Sequence, residues 1–268
     1  AALLLELDIG SNHGLLNENS HGVDSLVQQL LEGESTSLRL QVLKLNHLQI
    51  SKNDMNTILR TLQRNSNPFL RHLDLSGNGI GDGHPLADMI RVNKTLRTLI
   101  LDYNPLYEQG VSIVAKALLQ NPTLVELSLV EVGGGVVVAG GSGSKSIVTL
   151  ALVETLKQRT NVETRVVLRD NPPFWSPQCR ESDGVSGLLD AARCNPCLTR
   201  CDIGYHHREL AYLVSLNSYG FRALLTNPRV DILIPIALAH HHPAKEKLSV
   251  CYELIRNLPD IFGKIRKL

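Results

Sequence analysis

Aromatic residues are scarce in this chain, with four Phe, one Trp and six Tyr among 268 positions. A core of ordinary mixed composition leans on large rings, so the apolar filling must come from another source. Charge of one sign is missing too: 27 Lys plus Arg stand against 26 Asp plus Glu, a formal +1. No field of that size draws in nucleic acid or an anionic membrane, and neither is assigned as a partner. No apolar run approaches the roughly 18 residues that cross a bilayer, which excludes membrane insertion by a helix. The N-terminus lacks the basic flank of a signal peptide. The chain opens on Ala1 rather than Met, as a processed form or a segment of something longer would. What it does have is leucine, 47 residues of it. A bias toward one aliphatic side chain points to a repeated packing unit.

The repeat is explicit. Leu70, Leu73, Leu75, Asn78 and Ile80 follow the spacing L-x-x-L-x-L-x-x-N-x-I, and Leu96, Leu99, Leu101, Asn104 and Leu106 reproduce it 26 residues later. Leu124, Leu127 and Leu129 come 28 residues after that, with Val132 at the Asn place. Leu4, Leu7, Ile9 and Asn12 form an earlier copy, and Leu40, Leu43, Leu45, Leu48 and Ile50 another. Later copies decay through Val166, Leu168 and Asn171, then Leu198, Cys201 and Ile203, then Val230 and Leu233. Asn-Pro stands just before four of these segments, at Asn67, Asn121, Asn195 and Asn227. Proline cannot continue a helix and sends the residue before it to extended angles, so each marks a helix exit into a strand. Between strands the apolar positions take helical spacing, as in Val111, Val114, Ala115, Leu118 and Val185, Leu188, Leu189, Ala192.

These residues resemble the leucine-rich repeats of the ribonuclease-inhibitor type, with units of about 28 residues. The likeness runs over most of residues 3–236, densest over 38–132. It implies an α/β leucine-rich-repeat solenoid of about eight repeats, a right-handed horseshoe with a parallel sheet on the concave face and helices on the convex face. Elementary packing leads to the same place, since one strand and one helix cannot bury their apolar faces alone but stacked copies can. Residues 1–239 are assigned to the repeat domain and 240–268 to a C-terminal helical cap. A Gly-rich insert at 133–144 lengthens the fifth unit, a Pro-rich loop at 171–178 carries Trp175, and the first unit is enlarged around Leu15 to His21. In function the resemblance implies a non-enzymatic protein-binding or scaffold module, alone or as a subunit of a larger multiprotein assembly. Its alternatives are a small-GTPase regulator like the Ran GTPase-activating proteins, the sensor repeat domain of an immune-type receptor, or a structural subunit of a cytoskeletal or ciliary complex. The Asn closing each strand is expected, on the same resemblance, to bond backbone groups across the stack.

Motifs that imitate other chemistry fail in detail. Ala139-Gly140-Gly141-Ser142-Gly143-Ser144-Lys145-Ser146 follows three valines and precedes an apolar helix, the setting of a phosphate-binding loop. That loop needs glycine where Ala139 and Ser144 stand, so an insertion is favoured and no cofactor is assigned. Cys194, Cys197 and Cys201 with His206 and His207 imitate a zinc cluster, but Cys201 falls at a leucine place of the strand and the spacings match no common pairing. His240-His241-His242 point in different directions on any regular element. No metal site or catalytic residue is assigned. Asn93-Lys94-Thr95 is a chance glycosylation triplet. Five scattered cysteines fit a reducing, cytoplasmic compartment.

Side chains alternate along a strand, so residues beside the second leucine should face away from the core and line the concave surface. Unit by unit these are Glu6 and Asp8, Val42 and Lys44, His72 and Asp74, Thr98, Ile100 and Asp102, then Glu126 and Ser128. Arg165, Val167 and Arg169 follow, then Arg200 and Asp202, then Ile232 and Ile234. The first five units are mainly acidic and the next two basic, a charge-divided groove suited to a partner of complementary charge. Glu6, Asp8, Lys44, His72, Asp74, Ile100, Asp102, Glu126, Arg165, Arg169, Arg200 and Asp202 are the assigned protein-binding residues.

Overall fold

Within the described residues each leucine-spaced segment folds as a short strand, and each following amphipathic segment as a helix. A computed structural model describes residues 4–12, 22–32, 38–64, 67–133, 150–171, 183–204 and 207–218. Within them the order is β1 (Leu4–Asp8), α1 (Gly22–Glu32), β2 (Leu38–Lys44), α2 (Lys52–Gln63), β3 (His72–Asp74), α3 (Gly83–Val92), β4 (Thr98–Ile100), α4 (Tyr107–Gln120), β5 (Glu126–Ser128), α5 (Leu150–Gln158), β6 (Thr164–Val167), α6 (Asp183–Cys194), β7 (Leu198–Asp202) and α7 (Arg208–Ser218). The seven strands form one parallel sheet in sequence order, β1 to β7. Each helix packs on the next along the stack. The eighth repeat expected at Val230 and Leu233 and the cap at 240–268 lie outside the described residues. So do all but Gly133 of the Gly-rich insert, nearly all of the Pro-rich loop, and the segment around Leu15 to His21.

The register makes the spine continuous. Leu7, Leu43, Leu73, Leu99, Leu127, Val166 and Cys201 stand opposite one another from strand to strand. From Leu43 to Cys201 all are buried, joined in one core by the helical Ile58, Leu86, Val114, Leu156 and Leu188. Helices form where a cap meets the apolar period. The Ser51 hydroxyl accepts from the Asp54 N–H at 3.2 Å, and Met55, Ile58, Leu59 and Leu62 follow on one buried stripe of α2. Asp82 does the same for α3 through the His84 N–H at 2.9 Å.

Two ladders of side-chain amides clamp the coils together. On the strand-end side, Asn104 Nδ2 donates to the carbonyls of Leu75, Leu101 and Asp102, while its Oδ1 accepts from the N–H groups of Asn78 and Ile80, both at 3.0 Å. Asn78 repeats this toward Leu45, Leu48 and Ile50, and Asn171 toward Leu129 and Val132. On the helix-exit side, Asn67, Asn121 and Asn195 accept from the turn that leads into the next strand. Asn121 and Asn195 also reach back to carbonyls of the preceding coil. Asn93 fills the same place between α3 and β4 and is buried, bonded to the Thr95 and Leu96 N–H groups and to the Leu62 carbonyl. Its amide is committed to the fold, which closes off the glycosylation triplet.

Candidate protein-binding surface

On the sheet face opposite the helices, two rows flank the buried spine. One runs Glu6, Val42, His72, Thr98, Glu126, Arg165, Arg200, and the other Asp8, Lys44, Asp74, Ile100, Ser128, Val167, Asp202. The alternation expected from the sequence therefore sets all the flanking residues on one face. Ser128 and Val167, however, are buried, so the second row is closed over at β5 and β6. Asp102 and Arg169 stand just past β4 and β6 rather than within them. The row positions at Ile232 and Ile234 lie outside the described residues.

Opposite charges meet across this face more than the charge-divided reading implied. Lys44 Nζ lies 2.7 Å from Glu6 and 3.4 Å from Asp8, and these two carboxylates raise its pKa, Glu6 the more strongly. At the other end Glu126 faces Arg165 at 3.9 Å and Arg200 at 3.5 Å. Arg169 donates to Asp202 through both Nε and Nη2, at 2.8 and 2.6 Å. That bond is the main reason the Asp202 carboxyl is held below its usual pKa, with the Gly204 N–H and Arg200 adding to it. At each end of the row system, then, every charged side chain named has an opposite charge within ion-pair reach.

The centre is different. Asp74 accepts from the N–H and hydroxyl of Ser76, at 2.9 and 2.5 Å, and Asp102 from the N–H of Val130 at 2.9 Å. Among the described residues neither meets a cation. Burial pushes the Asp102 carboxyl up from its ordinary pKa, and the charge of Asp74 adds to that rise against the Val130 and Ser128 bonds. His72 and Ile100 sit half-buried beside them. So the assigned residues separate into a paired cluster at β1 and β2, where two carboxylates share one lysine, a paired network at β5 to β7, where three arginines share two carboxylates, and an acidic centre that meets no described cation.

Two residues beside that centre were missed by sequence reasoning. The place four residues after each spine residue, just before the ladder position that holds Asn in four coils and Leu48 or Val132 in the others, takes a left-handed backbone in every described coil from β1 to β6: Ser11, His47, Gly77, Tyr103, Glu131, Asp170. Gly77 is natural there, since a Cβ would fall 2.1 Å from His47 Nδ1. His47 and Tyr103 hold it at a conformational cost, with ring centroids 5.9 Å apart and Tyr103 about half exposed. The recurring slot, four places after the second leucine of each repeat, was the available signal.

The imitated sites resolve as follows. Cys201 is a spine residue whose thiol is pushed up to about 12 by burial. Cys194 is exposed, and Cys197 gives its Sγ–H to the Thr160 carbonyl. His207 Nδ1 accepts from the Leu210 N–H at 3.2 Å. Among the described residues no three metal-capable side chains converge. His206, residues 139–146 and His240 to His242 lie outside them.

A family model described as a leucine-rich repeat matches residues 66–83, the stretch from the Asn67 exit through β3 to beyond the Asn78 rung. Those residues are a leucine-rich repeat, and the coils on either side keep its spacing. Among solved structures this repeat protein is similar to one titled "Leiomodin-1 Actin-Binding Site 2 (ABS2)", at 19% identity over 76% of this chain and 94% of that one, with a TM-score of 0.46. It is also similar to the tropomodulin C-terminal domain of Caenorhabditis elegans, at 13% identity over 75% of this chain and 96% of that one, with a TM-score of 0.43. No helix among the described residues is long and apolar enough to cross a membrane.

Proposed function

We propose that the repeat protein is a non-enzymatic protein-binding module that receives a protein partner on the open face of its sheet, acting as a scaffold or as a subunit of a larger assembly. The observation that supports this most is the uncompensated pair Asp74 and Asp102 at the middle of a face whose other charges are paired. The backbone under that face is fixed by register and by two amide ladders, so docking orders little of it, and ordering is a main cost of association. The described cysteines, Cys194, Cys197 and Cys201, are free thiols, in keeping with a reducing compartment.

The variant that tests this is Asp74→Lys with Asp102→Asn, since Asn retains an acceptor for the Val130 N–H. Affinity capture from native extract is run side by side with wild-type and doubly substituted protein. A partner captured by the wild type and lost by the variant, with a melting temperature no lower than the wild type's, is the expected result. Identical captured sets would overturn binding through this face. Substituting Glu126 is a poorer test, because it also removes a carboxylate that faces both Arg165 and Arg200.

A further inference from the structure

The opposite rim of the sheet, where the strands begin, carries a second charged surface that the face does not use. Arg71 and Arg97 stand immediately before β3 and β4 on adjacent coils, the Arg71 N–H bonded to the Gln41 carbonyl at 2.8 Å and the Arg97 N–H to the Arg71 carbonyl at 2.7 Å. Arg39 lies two residues before Gln41 in β2. All three are exposed, and none makes an ion pair with a described residue.

Their guanidinium groups are held rather than loose. Arg71 Nη1 donates to the carbonyls of Pro68, Leu70 and Thr95, at 2.8, 3.1 and 3.3 Å. Arg97 Nη1 donates to the Thr123 carbonyl at 3.0 Å. Arg39 stacks on the exposed Phe69 ring, its Cζ 5.3 Å from the centroid. One edge of the Arg71 and Arg97 forks is therefore tied to a turn and the face of Arg39 to a ring, while their remaining N–H groups make no hydrogen bond to a described residue. A planar fork fixed in this way loses little rotamer freedom when a carboxylate approaches, and it can take both oxygens at once.

We infer that this strand-start rim docks an acidic polypeptide segment, one carrying Glu or Asp at alternate positions. Strands lie about 4.8 Å apart and alternate side chains of an extended chain about 6.6 Å apart, so long arginine side chains on adjacent coils reach successive same-side carboxylates. Charge complementarity fixes the sign. The extent of the patch favours polypeptide over nucleic acid, because three forks fall short of the roughly six to ten phosphate contacts that sustain duplex binding. Asp74 and Asp102 on the adjoining face would also repel a long polyanion.

The test uses the intact protein and a short fluorescein-labelled peptide of alternating Glu and Ser, followed by anisotropy at low salt. Binding is expected for the wild type, weakened about tenfold or more by Arg71→Gln with Arg97→Gln, the loss of charge-assisted bonds. Arg39→Gln breaks no turn bond and is expected to weaken the peptide in the same direction, so it decides the matter if the double variant fails to fold. Asp74→Lys on the face should leave this affinity intact or improve it, which separates the rim from the proposed function of the face. No peptide binding, equal affinity of wild type and Arg39→Gln, or displacement of the peptide by oligo-dT at lower concentration than by unlabelled peptide would each overturn the proposal, the last in favour of nucleic acid.

Discussion

At the scale of single residues, Asp102 and Asp202 show how environment divides two like side chains on neighbouring parts of one face. Asp102 is an acid whose folded pKa is raised by burial and by Asp74. The folded state then binds a proton more readily than the unfolded chain, so ionised Asp102 costs stability at neutral pH and that cost disappears as pH falls through the raised pKa. Asp202 runs the other way: its bond to Arg169 lowers its pKa, contributing stability above the unfolded carboxyl value of about 3.9 that is lost as pH falls through the folded pKa. Asp102→Asn should therefore be more stable than wild type in urea melts at neutral pH, with the gain shrinking in acid. Asp202→Asn should be less stable at neutral pH and converge with wild type in acid. Parallel curves for the two variants would refute the assignment. The sequence alone placed both residues on this face through the period-two rule, but it could not tell them apart, because which carboxylate finds an arginine depends on residues such as Arg169 and Asp202, 33 positions apart, meeting in space.

Elements are held by rules of differing legibility. The strands were readable because leucine spacing is local, and the helix exits because Asn-Pro is a local signal; Asn67, Asn121 and Asn195 do cap their turns. The rest of that ladder was not readable. Asn93 does the same work without proline, and after α5 the place is taken by Arg159. That residue is 2% exposed, bonded to Thr164 Oγ1 at 2.7 Å and to the Asn121 and Leu124 carbonyls, with Nε left without an acceptor. Burial draws its pKa down to about 10. No motif marks an arginine as a substitute for asparagine; only the position between a helix end and a buried carbonyl pair does. Helix spacing was equally hidden. A Cβ on Gly83 at the start of α3 would fall 2.7 Å from the Gly110 carbonyl oxygen and 3.0 Å from its Cα. Both contacts are backbone, so α4 itself would have to move. Gly83→Ala should cost about 1–3 kcal/mol in a denaturant melt, the range for overpacking. An unchanged midpoint would mean that α3 and α4 are not in this close contact.

For the whole molecule, a stack of units has no global core beyond its nearest-neighbour interfaces, and its stability is close to a sum of unit and interface contributions. Coils flanked on both sides by well-made interfaces should therefore open last. The stretch from β3 to β5 meets that condition: its spine residues are fully buried, its amide ladder is complete at Asn78 and Asn104, and the strand-end N–H groups of Leu75 and Leu101 bond the next coil at 2.9 and 3.0 Å. β1 does not. Among the described strands it pairs with β2 alone, Leu5 is 45% exposed, Leu7 is only partly buried, and Asn12 bonds its own coil at Ile9 and Gly10. The ladder is also interrupted at Val132, where a valine cannot accept the bonds that Asn104 accepts from Asn78 and Ile80. Native-state hydrogen exchange should then show a gradient along the stack, with the Leu75 and Leu101 amides protected to near the global unfolding free energy and the Ile9 amide, bonded to Lys44 at 3.1 Å, exchanging through a cheaper local opening. Added denaturant separates the two, because global opening is steeply denaturant-dependent and local fraying is not. Equal protection at both positions would mean that the chain unfolds as one unit, and that the proposed docking surfaces at β3 and β4 are no more rigid than β1.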